Sequence, residues 1–207
     1  MNTKSIEYGG VLVCGQGLQQ GSENNTLEPN RNMAARLLVG SELWKQIAAT
    51  QVNPPILYLG GGDVFKIGTP ISEIYSNFIE QRLGFDPRFI QTIPAFETIG
   101  ELQGTERVVA GRLVIVSNGW HRVADSLAQK HGHVFFPIEE YTEDPEVTEK
   151  MQMLLTRPLP SERFIQFVGQ QAIRSGGPIG ESLYRAAALA SLRYRAVSIS
   201  PHRPLPF

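Results

Sequence analysis

Four times in the first 138 residues a short run of apolar side chains gives way to a longer segment whose apolar residues recur three or four apart, and a fifth apolar run closes the series. This alternation constrains the fold more than any other feature. Strands joined through helices lie parallel, and right-handed crossovers place those helices on both faces of the sheet. The runs are GVLVCG (10–15), ILYLGGG (56–62), RFIQTI (88–93), LVIVS (113–117) and HVFFPI (133–138). The first has no polar alternation and reads as buried on both faces, while the third is short and alternates. Between them, residues 31–50 place Met33, Leu37, Leu38, Trp44, Ile47 and Ala48 on an inner helical face, with Gly40 as a point of interruption. In the next helix Thr69 is a cap and Pro70 a first-turn residue, and Ile71, Ile74, Tyr75, Phe78, Ile79 and Leu83 form one stripe before Gly84. Further helices are expected over 97–110 and 121–131, the latter ended by Gly132. The expected fold is α/β: a three-layer, doubly wound, mainly parallel five-stranded sheet of Rossmann-like type.

After residue 138 the alternation stops. Residues 139–149 hold six acids, whereas 156–207 hold seven arginines, no lysine and only Glu162 and Glu181 as acids. This reads as a solvated acidic linker followed by two helices, over about 161–174 and 180–196, whose FIQFVGQQAI and LYRAAALASL have helical apolar spacing. The expected organisation is an α/β domain over 1–138 with a helical extension over 139–207 packed on it. The arginines of the extension could instead face an anionic ligand or a partner subunit.

A chain of 207 residues that is 42% hydrophobic can bury a substantial core, and a formal net charge of −1 gives no general reason to expect nucleic acid or an anionic membrane as partner. A single cysteine, Cys14, rules out an internal disulfide and fits a reducing compartment. There is no run of 18 apolar residues, and MNTKSIEYGG lacks the apolar core of a secretion signal, so a cytoplasmic, membrane-free protein is expected.

In an open parallel sheet ligands bind beyond the carboxyl ends of the strands, and the unusual residues fall there. They are Gly15, Gln16 and Gly17 after the first strand, Gly60, Gly61, Gly62 and Asp63 after the second, Phe96, Glu97 and Thr98 after the third, and Ser117, Asn118, Gly119, Trp120 and His121 after the fourth. Glycines admit a ligand close to backbone N–H groups, and the helix N-termini that follow favour a phosphate or carboxylate. The same glycines equally serve tight strand-to-helix turns, and CGQGLQQG is not GxGxxG. Ser117 and His121 are four apart and can meet on a first helical turn, yet VSNGW is not the GxSxG of a nucleophile elbow, so the serine reads equally as a helix cap and the histidine as a ligand-binding group. Glu73 and Glu97 are candidate polar partners from neighbouring loops. Arg31 and Arg36 sit near the start of the first helix, where a cation matches the dipole poorly, and Arg31 is the preferred anion contact. His131 and His133 lie on the opposite rim and read as structural. No HExxH, CxxC or spaced carboxylate cluster argues for a metal.

The order of these motifs resembles the YdcF/SanA-like family, a Rossmann-like domain of largely undefined function. An arginine leads into MAARLL, and LYLGGG, ISEIYSNFI, FETIGEL and LVIVSNGWHRVADSLA follow. The family's Ser/Gly-Gly strand end corresponds to Gly60, Gly61 and Gly62, and its Ser-Glu to Ser72 and Glu73. Its helix-opening threonine with a following Glu corresponds to Thr98 and Glu101, and its Thr/Ser-x-x-His-x-x-Arg stretch to Ser117, His121 and Arg122. The match covers about residues 10–138. Glu97 stands where asparagine is usual, and the membrane anchor of the SanA-like branch is absent, which favours the soluble YdcF-like branch. The resemblance implies a polar pocket for a nucleotide-like or anionic small molecule. S-adenosylmethionine binding is associated with the YdcF-like branch and a cell-envelope role with the SanA-like branch.

Three functions are therefore open. The chain binds a nucleotide-like or anionic small molecule, with Phe96 and Trp120 available to stack on a base. Alternatively it is a hydrolase or transferase acting on a phosphate or acyl group, with His121 as acid/base, Ser117 or a water as nucleophile and Glu73 in support. A third possibility is a scaffold that uses the arginine-rich C-terminal helices as a partner surface.

Overall fold

The computed structural model describes residues 7–15, 17–23, 26–158, 160–194, 199 and 201–207, without the side chains of 161 and 189–194. The elements in chain order are β1 (Tyr8–Val13), β2 (Leu18–Gln20), β3 (Leu27–Pro29), α1 (Arg31–Thr50), β4 (Ile56–Gly60), α2 (Ile71–Leu83), β5 (Ile90–Ile93), α3 (Thr98–Glu106), β6 (Arg112–Ser117), α4 (Arg122–His131), β7 (Val134–Pro137), α5 (Pro145–Leu154) and α6 (Pro160–Tyr194). The main sheet has the order β5-β4-β1-β6-β7 with every pairing parallel, so the expected doubly wound five-stranded sheet is present. The chain builds outward from β1 in one direction, then returns to β6 and builds in the other. That reversal opens a crevice beyond the carboxyl ends of β1 and β6, the place where such sheets hold ligands.

Alternate residues of the strands serve two separate cores, which is why the runs show no polar alternation. Val11, Val13, Leu57, Leu59, Val114 and Val116 pack with α1, α2 and α5, while Leu12, Cys14, Tyr58, Leu113 and Ile115 pack with α3, α4 and α6. Gly40 does not interrupt α1: a Cβ there would lie 2.5 Å from Val13 Cγ2, so the glycine lets the helix lie close on β1. Asn30 caps α1 by accepting from the Met33 N–H at 2.9 Å. Thr69 does not cap α2; the N-cap position is Pro70, and the Ile71 and Ser72 amides donate to the carbonyls of Gly62 and Gly61. Gly132 closes α4 in the left-handed conformation (φ 75°).

Two stretches read as loop carry structure. The polar segment after β1 folds into the antiparallel pair β2–β3, on which the C-terminal residues dock: Gln19 Nε2 donates to the Arg203 carbonyl at 2.7 Å, and the Phe207 ring meets Phe78 edge-on at 5.6 Å. The acidic segment is only partly a linker. Asp144 accepts from the amides of Glu146 and Val147, Pro145 opens α5, and Val147, Met151 and Leu154 turn inward against the layer of α1. Its acids occupy the outer side.

The two expected C-terminal helices are present as the two arms of α6, separated by the non-helical Gly177 (φ 51°, ψ −135°) with Pro178 following. The chain doubles back there. A Cβ on Gly169 would lie 2.6 Å from the Tyr184 ring, and one on Gly180 would strike the Ala172 carbonyl, so the two arms of α6 touch along their length. The hairpin packs on α4 and buries Ile173 and Tyr184 in the second core. Gly180→Ala should therefore force the arms apart and cost about 1–3 kcal/mol, read as a lower Tm together with faster protease cleavage within α6. No helix among the described residues is long and apolar enough to cross a membrane.

Candidate functional site

A cavity of about 180 Å³ lies beyond the carboxyl ends of the strands. Its floor is Gly15 after β1, Gly61 after β4, and Arg36 and Glu101 reaching in from α1 and α3. Its walls are Phe96, Glu97 and Thr98 after β5 and Trp120 and His121 after β6. The α6 hairpin lines one side of it with Glu162, Ile165, Gln166, Tyr184 and Ala188.

Glu101 explains much of the glycine signal. It lies on the buried stripe of α3 with Thr98, Leu102 and Thr105, and its carboxyl fills the space that side chains at residues 15 and 60 would take. A Cβ on Gly60 would sit 2.5 Å from Glu101 Cδ. The Gly15 N–H donates to Glu101 Oε1 at 3.2 Å, whereas Oε2 has no hydrogen-bond partner among the described residues. Burial pushes this carboxyl up to about 8, against the opposing pull of the Gly15 N–H, of Arg36 and of a hydrogen bond with the Cys14 thiol, so at neutral pH it is mostly the acid. Beside it the Cys14 thiol is raised well above its usual range, first by burial and then by Glu101, which makes it a poor nucleophile.

Arg36 is only 1% exposed. Its Nε donates to Asn118 Oδ1 at 2.7 Å and its Nη1 to the Cys14 carbonyl at 2.9 Å, and the guanidinium lies 5.8 Å from the centroid of the Trp120 ring. Asn118 passes the link onward, with Nδ2 donating to Glu139 Oε1 at 3.2 Å, while Glu139 Oε2 accepts from the Gly119 N–H at 2.7 Å. Among the described residues no carboxylate forms an ion pair with Arg36. Burial lowers its affinity for the proton, yet a guanidinium stays charged in a protein.

His121 is held between two hydroxyls, with Ser117 Oγ 2.7 Å from Nδ1 and Thr98 Oγ1 3.1 Å from Nε2. Burial, and then Arg36, push it down to about 3, so the ring is neutral and serves one hydroxyl as donor and the other as acceptor. Thr98 in turn bonds to Tyr184, whose hydroxyl is raised by burial. Glu97 stands at the N-cap of α3, accepting from the amides of Ile99 (2.7 Å) and Gly100 (2.8 Å), and pairs with Arg185 Nε of α6 at 3.0 Å. This arginine of the extension thus ties the hairpin to the cavity wall.

The structure brings Gly15, Gly61, Glu97, Thr98, Trp120 and His121 together, and Asn118 stands directly behind them on Arg36. Other expected site residues fall elsewhere. Arg31, the preferred anion contact, turns to α5, where Nη2 donates to the Met153 carbonyl; the cavity arginine is Arg36. Glu73 is exposed on the first turn of α2 and does not line the cavity. Asp63 folds its own loop by accepting from the Ile67 and Gly68 amides at 2.8 and 2.9 Å. Gly62 packs against Ala95 and Phe96, Gly17 packs against Asn30, and Ser117 is fully buried beneath His121 outside the lining. Gln16 lies outside the described residues. His131 Nδ1 and His133 Nε2 both meet Glu106 Oε1 at 2.9 Å, away from the cavity. Sequence reasoning reached Glu101 only through the family resemblance, ranked Arg36 below Arg31 and missed Tyr184. The available signal was a charged residue inside a buried helical stripe.

Among the described residues, many of the amides at these loops and helix starts are already engaged. The amide of Gly15 is given to Glu101, those of Gly61 and Gly62 to the carbonyls of Ile93 and Ala95, those of Ile99 and Gly100 to Glu97, that of Gly119 to Glu139 and that of Val123 to Gln166. Recognition in this cavity therefore falls on side chains.

Compared with protein-family models, curated proteins and solved structures, the chain finds no match in any of the three.

Proposed function

We propose that this chain binds a small anionic molecule in the cavity at the carboxyl ends of the strands. The observation that carries the reading is Arg36, a buried cation with no carboxylate paired to it among the described residues, lining a cavity whose neighbouring acid Glu101 is mostly neutral at pH 7 and whose Glu97 is paired with Arg185, with Glu162 as its third acid. A buried charge without a counterion is costly, and an anionic ligand supplies one. The Trp120 ring beside the guanidinium adds a flat apolar wall.

The resemblance to the YdcF/SanA-like family suggests a nucleotide-like ligand such as S-adenosylmethionine. The cavity, about 180 Å³, is smaller than the roughly 300–1,000 Å³ of pockets that hold drug-sized ligands. A whole nucleotide thus exceeds it and would extend through its open side, whereas a small acid fits inside. In a thermal-shift series of small carboxylates, phosphates and adenosyl compounds, at least one anion should raise Tm steadily with the logarithm of its concentration, reaching about 2.7 kcal/mol of stabilisation at a hundred times Kd. A flat response across the whole series would remove the basis for the reading.

A second reading, a hydrolase or transferase using His121, draws on the 2.7 Å contact between Ser117 Oγ and His121 Nδ1. Both ring nitrogens are occupied by hydroxyls, and the imidazole stays neutral down to about pH 3, which favours a relay between Ser117 and Thr98 over a general base. Turnover of simple phosphate and acyl esters by the chain and by His121→Ala separates the two readings.

A further inference from the structure

We infer that the cavity selects a carboxylate, holding its two oxygens with the carboxyl of Glu101 and the indole N–H of Trp120. The inference rests on the reading of the cavity as an anion site and specifies the anion. Its basis is a pair of unsatisfied atoms. Glu101 Oε2 and Trp120 Nε1 are buried, neither has a hydrogen-bond partner among the described residues, and both residues line the same cavity. Buried polar atoms are nearly always bonded, so two of them on one small cavity point to something that bonds there.

Both atoms act as donors. An indole nitrogen can only donate. Glu101 Oε1 accepts from the Gly15 N–H, which leaves Oε2 to carry the proton when the group is the acid, and burial keeps it the acid near neutrality. Arg36 contributes charge more than contacts, since its Nε and Nη1 are committed to Asn118 and Cys14. The site thus offers two donors and a fixed positive charge, all on residues of one cavity. A carboxylate has two acceptor oxygens and one negative charge, and an acid O–H donating to it makes a short, charge-assisted bond. A phosphate or sulfate presents more oxygens and more charge, and its usual partners are free amides at a glycine loop or helix N-terminus. Here the amides of Gly15, Gly61, Gly62, Ile99, Gly100 and Gly119 are already taken.

The test uses the full chain labelled with ¹⁵N and follows the Trp120 indole N–H resonance during titration with acetate or sulfate, with chloride keeping ionic strength constant. At pH 6 acetate should shift that resonance saturably and bind more tightly than sulfate. At pH 9 the ionised Glu101 repels the anion and cannot donate, and acetate affinity should fall at least about tenfold, the equivalent of one hydrogen bond to a charged group. Glu101→Gln keeps a donor in its amide and should hold acetate almost equally at both pH values. Trp120→Phe should lose about tenfold at pH 6, read by Tm in place of the missing resonance. If sulfate binds as tightly as acetate, or if acetate binding is indifferent both to pH 9 and to Trp120→Phe, the carboxylate assignment fails while the anion site stands. If neither anion shifts the resonance or Tm, the anion site fails and this inference fails with it.

Discussion

Arg36→Met should lower the stability of the fold by about 3 kcal/mol, seen as a drop in the urea midpoint with little change in m. Methionine fills much of the same volume, so the loss arises from the partners. Asn118 Oδ1 and the Cys14 carbonyl, which now accept at 2.7 and 2.9 Å, would be left buried without donors, at about 1–3 kcal/mol each. Relief of the cost of burying a guanidinium offsets part of that sum. Arg36→Lys should recover only part of the loss, because an ammonium is a point donor and cannot reach an amide oxygen in one direction and a carbonyl in another as the planar fork does. A midpoint for Arg36→Met within about 0.5 kcal/mol of the parent chain would mean that these bonds do not hold α1 to the strand ends.

The sheet was legible because its evidence is local: five apolar runs, helical spacing between them and Gly132 just past α4. The pair β2–β3 was hidden because LQQ and LEP are too short to show a period, and their pairing is decided by the turn between them. In α5 the run of acids masked Val147, Met151 and Leu154, which recur at helical spacing; acids on one side of a helix say nothing against an apolar other side. At the site the glycines read as places where a ligand comes close to the backbone, or as tight turns; what approaches at residue 60 is the Glu101 side chain. The choice between Arg31 and Arg36 could not be made from spacing. Almost every residue from Asn32 to Ser41 is buried, since α5 covers the side of α1 that the sheet leaves open, and Arg36 is fixed by an asparagine 82 residues away. Such long-range partners are set by topology rather than by any local signal.

Two buried groups with opposite displacements should give the chain a stability plateau between about pH 4.5 and 6.5. His121 ordinarily titrates at 6.5 but in the fold is held down to about 3, so the unfolded chain takes up a proton below 6.5 that the native chain refuses, and stability falls with falling pH until about 3. Glu101 ordinarily titrates at 4.5 but in the fold is pushed up to about 8, so above 4.5 the unfolded chain releases a proton that the native chain keeps, and stability falls with rising pH until about 8. Within the overlap the two slopes cancel. Outside it each limb should run at about 1.4 kcal/mol per pH unit, or about 2 kcal/mol between pH 6.5 and 8 on the alkaline side. Urea unfolding across pH 4 to 9 measures the profile, and substitution assigns the limbs. Glu101→Gln should abolish the alkaline loss while keeping the acid one, and His121→Gln should do the reverse. An alkaline limb that persists in Glu101→Gln would assign the loss to other groups and would remove the neutral acid on which the carboxylate inference depends. Glu101 weakens the fold while it stays the acid, below about 8, and should release its ligand only as it ionises above that value, so a bound carboxylate ought to extend the alkaline limb to higher pH.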